Sequence, residues 1–211
     1  MTPDFRNDGL VFEADGLQVL AFMLDADQDT VNQIGLCLNE EEGLRALRLR
    51  LRQDQRRFVA TRGHLRHVLA ARLGVCPSDV EFEYEELGKP RLSQRMRGPD
   101  LRFSISRSAD VAVIALADNR DVGVDIEVIL PVPEADQIAS LCLSPSEYQS
   151  YAALEPERRP KDFLERWTRL EAVSKALGCG LGQPSLWNEE DWTVTGFVPK
   201  PGYVGTVVVR N

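Results

Sequence analysis

The sequence predicts an α+β fold built from two similar halves. Short stretches in which apolar residues alternate with polar ones indicate β-strands. Two long stretches with apolar residues at helical spacing, each closed by a glycine, indicate helices. The two halves are indicated by an internal repeat, because Asn39 and Glu42 recur 105 residues later as Ser144 and Glu147. Both pairs have the spacing of a helix capping box.

The repeat extends to other positions at the same offset. Phe58 corresponds to Phe163, and a strand centred on Val19 corresponds to one centred 105 residues later. Because these matches keep a common order, we expect an N-terminal α+β half over residues 1–117 and a C-terminal α+β half over residues 118–211.

The N-terminal half is expected to begin with a strand, continue through two helices and end in strands. The second helix buries a face that includes Leu65 and Leu69, and Arg62 falls on the same stripe. Such an arginine either extends past the core into solvent or meets a buried anion. The expected elements are a strand over 17–24, a helix from 39, a helix over 53–73, a strand over 80–84, a turn at Gly88-Lys89-Pro90, and strands over 101–105 and 111–117.

An acidic strand opens the C-terminal half, and a last strand is expected over residues 203–209. After a turn at 118–120, which predicts a hairpin, residues 121–129 alternate strictly, with valine and isoleucine on one face. Asp125 and Glu127 therefore project side by side from the other face, close enough to share a hard cation through oxygen ligands. A half-buried strand with a solvated acidic face has the same pattern, and alternation alone does not separate the two.

A long helix closed by glycine is predicted over residues 163–178. Phe163, Trp167, Glu171 and Lys175 recur every four residues, so they share one stripe of this helix. Since the two aromatic residues would dock the stripe on the core, Glu171 and Lys175 are expected to point toward the same interior. The alternative is an ordinary solvated Glu–Lys pair.

The composition argues against several classes of protein. Apolar residues make up 43% of the chain, which is enough for a core. The sequence contains no run of about eighteen apolar residues that could span a membrane, and the N-terminus lacks the basic and apolar regions of a secretory signal. Four scattered cysteines without a C-x-x-C pair indicate reduced thiols, and therefore a cytoplasmic protein.

Charge is distributed unevenly along the chain. The formal net charge of −8 argues against general nucleic-acid binding. Residues 45–72 nevertheless contain nine arginines and one acid, Asp54, which gives a local charge of +8. Such a segment suggests an anionic partner or ligand, although a solvated arginine-rich helix has the same composition.

Four short motifs together resemble those of the Sfp-type 4′-phosphopantetheinyl transferase family. The motifs are Gly88-Lys89-Pro90, Phe103-Ser104-Ile105-Ser106-Arg107-Ser108, Gly123-Val124-Asp125-Ile126-Glu127 and, 40 residues further on, Trp167-x-x-x-Glu171-Ala172-x-x-Lys175. They stand in the order that the family has, and the resemblance covers essentially the whole chain. The chain departs from the family at two positions, with Arg107 in place of the usual histidine and Leu170 in place of the usual lysine.

The resemblance implies an activity: transfer of the 4′-phosphopantetheine group of coenzyme A to a serine of an apo carrier protein, with release of 3′,5′-ADP. It also implies a pseudo-twofold axis between the halves, Mg²⁺ or Mn²⁺ as the cofactor, coenzyme A as co-substrate, and an acyl or peptidyl carrier protein as the acceptor. No role for nucleic acid or a membrane is expected. A monomer is expected, because the two halves are already fused in one chain.

The same resemblance implies roles for individual residues. Asp125, Glu127 and Glu171 would bind the metal. Glu171, or a water molecule on the cation, would take the serine proton, and Lys175 would hold phosphate as a point charge. Asp125, Glu171 and Lys175 are thus the expected catalytic residues. Coenzyme A would be bound by a larger set, namely Lys89, Pro90, Arg62, Ser106, Arg107 and Lys175.

Two alternatives stay open. Arg107 cannot titrate, so any proton role of the usual histidine is absent. Together with Leu170, it could mark a catalytically impaired homologue that binds coenzyme A or a carrier protein, although intact Asp125 and Glu171 argue against this. A metal-dependent phosphohydrolase would also use carboxylates around Mg²⁺. Coenzyme A binding without transfer would favour the first alternative, and phosphate release without an acceptor would favour the second.

Overall fold

The computed structural model of the chain describes residues 9–96, 100–180 and 187–211, and it has the α+β architecture that the sequence predicts. The strands are β1 (Leu10–Ala14), β2 (Leu17–Met23), β3 (Phe82–Tyr84), β4 (Pro90–Leu92), β5 (Leu101–Ser108), β6 (Val111–Asp118), β7 (Val122–Val128), β8 (Trp192–Phe197) and β9 (Tyr203–Arg210). The helices are α1 (Gln28–Gly35), α2 (Glu40–Leu47), α3 (Arg52–Leu73), α4 (Ala135–Cys142), α5 (Pro145–Ala152) and α6 (Arg159–Leu177). None of the helices described is both long and apolar enough to cross a membrane.

The strands form antiparallel sheets whose orders are β1-β2-β6-β5, β3-β4 and β7-β9-β8. β2 pairs with β6 along its whole length, with Leu17 opposite Ala117. β7 pairs with β9 in the same way, with Val122 opposite Val209. The order β2-β6-β5 in the N-terminal half therefore recurs as β7-β9-β8 in the C-terminal half.

The helices repeat in the same manner. α2 and α5 each begin with the predicted capping box, formed by Asn39 with Glu42 and by Ser144 with Glu147. Each long helix, α3 and α6, ends at a glycine in the left-handed conformation, as expected for a helix C-terminus. The two halves thus have matching strands and helices in the same order along the chain. A pseudo-twofold axis between the halves and the boundary after residue 117 remain predictions.

The predicted hairpin between β6 and β7 is wrong. β6 already has β2 on one edge and β5 on the other, so it has no free edge to offer β7. The chain instead turns through Asn119, whose φ of 58° is left-handed, and enters the next sheet. Among the described strands, β7 pairs with β9 alone, and its other edge is available to the side chains of β5.

An apolar core joins the two larger sheets. It contains Val19 and Val113 from the first sheet and Val124, Ile126 and Val207 from the second. All five side chains are fully buried, and burying a side chain of this size stabilises the fold by about 1.5–3 kcal/mol. The relative position of β5 and β7, on which the site depends, is therefore fixed by packing between the halves.

Helix α6 crosses β7 at close range over Gly123. A Cβ atom on this residue would lie 1.9 Å from the carbonyl oxygen of Ala172 and 2.5 Å from the amide nitrogen of Ala176. Both are backbone atoms of the helix, so neither can move aside without shifting the helix. The glycine of the acidic strand is thus required by packing, and the close approach places Glu171 and Lys175 beside that strand.

We expect Gly123→Ala to destabilise the protein by about 3 kcal/mol or more, because overpacking against backbone costs at least as much as overpacking against side chains. Urea unfolding followed by circular dichroism measures the change. Gly196→Ala is the matched control, since Gly196 also lies in a strand but its Cβ would meet only the carbonyl oxygen of Gly205, at 3.9 Å. Equal stabilities of the two variants would contradict the close contact between β7 and α6.

Candidate active site

Three serines of β5 bridge to the free edge of β7. Ser104, Ser106 and Ser108 alternate along the strand, so their side chains share one face. The amide of Val124 donates to Ser104 Oγ at 3.1 Å, and the amide of Val128 donates to Ser108 Oγ at 3.1 Å. Serine hydroxyls therefore satisfy backbone groups that a neighbouring strand would otherwise satisfy.

The same serines orient the acids of β7. Ser106 Oγ donates to Asp125 Oδ1, and Ser108 Oγ donates to Glu127 Oε2, both at 2.7 Å. Asp125 is only 4% exposed, and its Oδ2 atom is buried with no hydrogen-bond partner among the described residues. A buried, unpaired carboxylate oxygen is costly in an apolar environment, so this atom marks a place built for a donor or a cation.

Helix α6 adds a lysine and a third carboxylate. Lys175 Nζ lies 2.7 Å from Asp125 Oδ1. Burial raises the pKa of Glu171, Asp125 raises it further by charge repulsion, and Lys175 opposes the change. Burial likewise raises the pKa of Glu127, the hydrogen bond from Ser108 opposes this, and repulsion from Asp125 adds to it. Repulsion from Asp125 thus acts on both Glu127 and Glu171, which is consistent with a shared site for the three acids, and that site remains a prediction.

The oxygen atoms of these carboxylates are ligands of the kind that bind a divalent cation. Among the residues that the structure describes, no three histidine, cysteine, aspartate or glutamate side chains form a compact metal cluster as they stand. The ammonium group of Lys175 occupies one oxygen of Asp125. The remaining donors are carboxylate oxygens, including the unpaired Oδ2 of Asp125, and such oxygens are the ligands that Mg²⁺ and Mn²⁺ prefer.

A cleft of about 490 Å³ lies against Glu171 and Lys175. Its opposite wall comes from the N-terminal half, with Lys89 and Pro90 among the lining residues. Lys89 Nζ donates to the carbonyl oxygen of Lys175 at 2.5 Å, near the end of α6 where a cation is favourable. Burial lowers the pKa of Lys89, and the nearby Glu85 carboxylate opposes that change. The Gly88-Lys89-Pro90 motif thus meets the α6 motif across the cleft.

A second cavity, of about 270 Å³, adjoins this cleft and shares Lys89, Pro90 and Phe103 with it. Basic side chains enrich its lining: Arg91, Arg102 and Arg210. Two acids, Glu85 and Asp121, line it as well, and the shared residues place the two cavities side by side.

Arg107 lies on the other side of β5 from the serines. Its side chain is exposed and makes no hydrogen bond or ion pair with another described residue. Ile105, two residues earlier and on the same side of the strand, lines the cleft. Arg107 itself lines neither cavity, so its contact with a phosphate of coenzyme A remains a prediction.

Arg62 meets a buried anion, and that anion is Glu42. Arg62 lies 2.6 Å and Arg66 2.7 Å from the two oxygens of Glu42, which is 3% exposed. Both guanidinium groups also stack near the ring of Phe82, and Arg62 donates to the hydroxyl of Tyr84 at 3.2 Å. Arg62 does not line either cavity described above. The structure thus places Arg62 in an internal ion-pair cluster, and its predicted contact with coenzyme A remains a prediction.

Two functional features were not predicted from the sequence. The alternation of Ser104, Ser106 and Ser108 signalled a shared face, but nothing in the sequence signalled that this face meets β7. Glu42 was predicted only as part of a capping box, because its arginine partners lie 20 and 24 residues away along the chain. In both cases the missing information was a tertiary contact.

We expect Glu42→Gln to lower the free energy of unfolding by about 3–5 kcal/mol, because it leaves two buried arginines without a counter-charge. Glutamine still accepts the amide hydrogen of Asn39, so the helix cap is largely preserved. Thermal and urea unfolding measure the loss, with Glu41→Gln, at an exposed neighbouring position, as the control. If the two variants were equally stable, the ion pairs of Arg62 and Arg66 with Glu42 would not stabilise the fold.

Comparison with known proteins gives matches along most of the chain. The model of the 4′-phosphopantetheinyl transferase superfamily matches residues 121–200, and that of the 4′-phosphopantetheinyl transferase N-terminal region matches residues 25–119. The chain is 30% identical over 215 residues to the 4′-phosphopantetheinyl transferase HetI of Nostoc sp., covering 96% of this chain and 91% of HetI. It is 31% identical over 133 residues to the 4′-phosphopantetheinyl transferase of Bacillus subtilis, covering 63% and 57%. It is also 31% identical over 151 residues to the 4′-phosphopantetheinyl transferase psf-1 of Bacillus pumilus, covering 72% and 62%.

Proposed function

The chain belongs to the 4′-phosphopantetheinyl transferase family, and on this basis we propose that it transfers the 4′-phosphopantetheine group of coenzyme A to a serine of an apo carrier protein and releases 3′,5′-ADP. The observation that carries the proposal is the pairing of Lys175 with the buried carboxylate of Asp125, beside a cleft that Lys175 and Glu171 line. Phosphoryl transfer needs positioned cations and a base, and these residues supply carboxylates and an ammonium in one place.

Coenzyme A would lie in the space between the halves. Lys89 and Pro90 line both cavities, which supports their proposed contact with coenzyme A. The ammonium of Lys175 can bind a phosphate oxygen as a point charge, and the guanidinium of Arg107 can bind one in a bidentate manner. Ser106 would act mainly by fixing Asp125, since its hydroxyl is already donated there.

Glu171 is the proposed base for the acceptor serine. Its carboxylate lines the cleft, and burial together with repulsion from Asp125 raises its pKa. A carboxylate in the cleft can accept a proton from a hydroxyl that lies within hydrogen-bond reach. The proton of the serine hydroxyl would pass to a Glu171 oxygen as the serine oxygen attacks the phosphorus that carries the pantetheine arm. The bond from that phosphorus to the bridging oxygen of the pyrophosphate would break, and 3′,5′-ADP would leave with that oxygen.

Asp125, Glu127 and Glu171 would hold Mg²⁺ or Mn²⁺. The bound cation would neutralise charge on the pyrophosphate of coenzyme A. The hydroxyls of Ser106 and Ser108 would keep two of the carboxylates oriented toward it. Lys175 would be displaced from Asp125 toward the phosphate, because the ammonium and the cation compete for the same carboxylate.

We also propose how the chain is divided, which acceptor it uses, its oligomeric state and its location. Residues 1–117 and 118–211 are proposed as the two halves, with the acceptor an acyl or peptidyl carrier protein. One chain supplies both walls of the cleft, which supports a monomer. Free cysteines at the four positions support a reducing, cytoplasmic location.

Intact-mass measurement tests the proposed reaction directly. A panel of apo acyl and peptidyl carrier proteins is incubated with the protein, coenzyme A and Mg²⁺. We expect one carrier protein or more to gain the mass of one phosphopantetheine arm. Coenzyme A binding with no mass gain on any member would support the impaired homologue, and phosphate release without an acceptor would support a phosphohydrolase.

We expect Asp125→Asn to lower the transfer rate by about 100-fold or more, equivalent to about 2.7 kcal/mol of transition-state stabilisation. Asparagine keeps a carbonyl oxygen for the hydrogen bonds from Ser106 and Lys175, so the fold should be retained. The rate is followed by intact mass and the fold by thermal unfolding, with Asp79→Asn, at an exposed position, as the control. A near-normal rate with unchanged unfolding would remove Asp125 from the catalytic group.

We expect Arg107→Ala to weaken coenzyme A binding by one to two orders of magnitude, since a charge-assisted contact to phosphate is worth about 1.5–3 kcal/mol. Arg107→His, which introduces the usual residue of the family, should retain much of the affinity. Calorimetric titration with coenzyme A measures both, and Arg158→Ala, at another exposed arginine, is the control. Unchanged affinity in Arg107→Ala would place this residue outside the binding site.

A further inference from the structure

Residues 44–52 form a tract in which leucine and arginine dominate and no acid occurs. The tract covers the end of α2, the following turn and the first residue of α3. All four of its arginines are exposed, and none forms an ion pair with a described residue. Its leucines are also unusually exposed: Leu44 is 49%, Leu47 73% and Leu51 64% exposed. We call the side chains of Leu44, Arg45, Leu47, Arg48, Arg50, Leu51 and Arg52 the Arg–Leu surface.

The other arginines between residues 45 and 72 are bound within the fold. Arg56 donates to the carbonyl oxygen of Ala26, and Arg57 pairs with Asp25. Three more pair with acids, namely Arg62 and Arg66 with Glu42 and Arg72 with Asp118. The positive charge that remains available to a partner is therefore concentrated on the Arg–Leu surface.

A groove of about 460 Å³ lies beside this surface, between α1, α2 and α3. Its lining includes Val31, Ala46, Leu47 and Val59, with Gly43 exposing the backbone of α2. Leu47 belongs to both the groove and the Arg–Leu surface. Gln28, Asn32, Asn39, Gln55 and Arg56 also line the groove, so the structure offers a groove of mixed apolar and polar lining beside a cationic surface.

We propose that the Arg–Leu surface and its groove dock the acceptor carrier protein, through a helix of that protein whose apolar side is flanked by carboxylates. This inference rests on the proposed function for the identity of the partner. Apolar contacts would be made by Leu47 and Leu51, and the four arginines would pair with the carboxylates at the rim. Since rim charges mainly accelerate association, the arginines would capture an acidic partner in spite of the overall charge of −8 on this chain.

The shape of the surface favours a protein helix over a lipid bilayer. The tract bends between two helices and borders a groove, whereas a membrane-surface helix is continuous and presents one straight apolar face. Helix α3 runs from this surface to Arg62, which donates to Tyr84 of the hairpin that carries Pro90, and Pro90 lines the cleft. The ten residues from Arg52 to Arg62 span about 15 Å of helix.

Direct binding tests the surface separately from turnover. The probe is a fluorescently labelled apo carrier protein, its acceptor serine replaced by alanine, titrated by anisotropy at about 0.1 M and about 1 M salt, where the Debye length falls from about 10 Å to about 3 Å. The variants are Arg48→Glu with Arg52→Glu, and Leu47→Ser with Leu51→Ser. The control, Arg158→Glu with Lys161→Glu, changes charge equally at exposed positions in the first turn of α6 and its cap.

We expect the arginine reversal to raise the dissociation constant about tenfold at low salt and to flatten its salt dependence. The leucine pair should raise it at both salt concentrations, and the control should stay within about twofold of the parent. The affinity for coenzyme A should stay within about twofold in every variant, and thermal unfolding checks that each one is folded.

The outcomes separate the inference from the proposed function. If the parent modifies a carrier protein while both surface variants bind it as tightly as the parent, the docking site is wrong and the transferase activity stands. If the parent binds no carrier protein but sediments with phosphatidylglycerol vesicles, and the arginine reversal abolishes sedimentation, the surface binds anionic lipid and the inference is overturned. If the parent binds neither, the inference is overturned as well.

Discussion

The hydrogen bonds and the ion pair at Asp125 are the interactions on which the rest of the site depends. One oxygen of this buried carboxylate accepts from Ser106 of the N-terminal half and from Lys175 of α6. The other oxygen has no partner among the described residues. Three segments distant in sequence therefore meet at one side chain, and each contact requires the packing of the two sheets and the close approach of α6 to Gly123. The geometry of the site is a consequence of how the halves pack.

The two halves use equivalent helices for different purposes. In the repeat, Arg66 of α3 corresponds to Glu171 of α6, and the capping glutamates Glu42 and Glu147 correspond to each other. In the N-terminal half, Glu42 is buried and neutralises Arg66, so the ion pair is internal. In the C-terminal half, Glu147 remains near the surface and pairs with Arg169, while Glu171 lines the cleft. The same fold thus gives a structural ion pair in one half and a chemical group in the other.

Much of this arrangement could be predicted from local patterns in the sequence. Alternation located the acidic strand, helical spacing placed Glu171 and Lys175 together, and the capping boxes located α2 and α5 correctly. The hairpin after β6 was predicted wrongly, because turn residues do not reveal whether the preceding strand has a free edge. The serine contacts to β7 and the pairing of Arg62 with Glu42 depend on long-range packing, which no local pattern encodes. The sequence likewise could not show which arginines between residues 45 and 72 are unpaired, because the partners of the paired ones lie far away along the chain.

A single diffraction measurement tests the central claim, that Asp125 and its neighbouring acids form a cation site beside Lys175. Crystals grown with coenzyme A and Mn²⁺ would be measured at the manganese absorption edge. The account predicts one anomalous peak per chain, within coordination distance of Asp125 and of at least one of Glu127 and Glu171, with Lys175 turned toward phosphate. A peak elsewhere, or coenzyme A bound in the cleft with Lys175 still paired to Asp125 and no manganese beside it, would contradict the account.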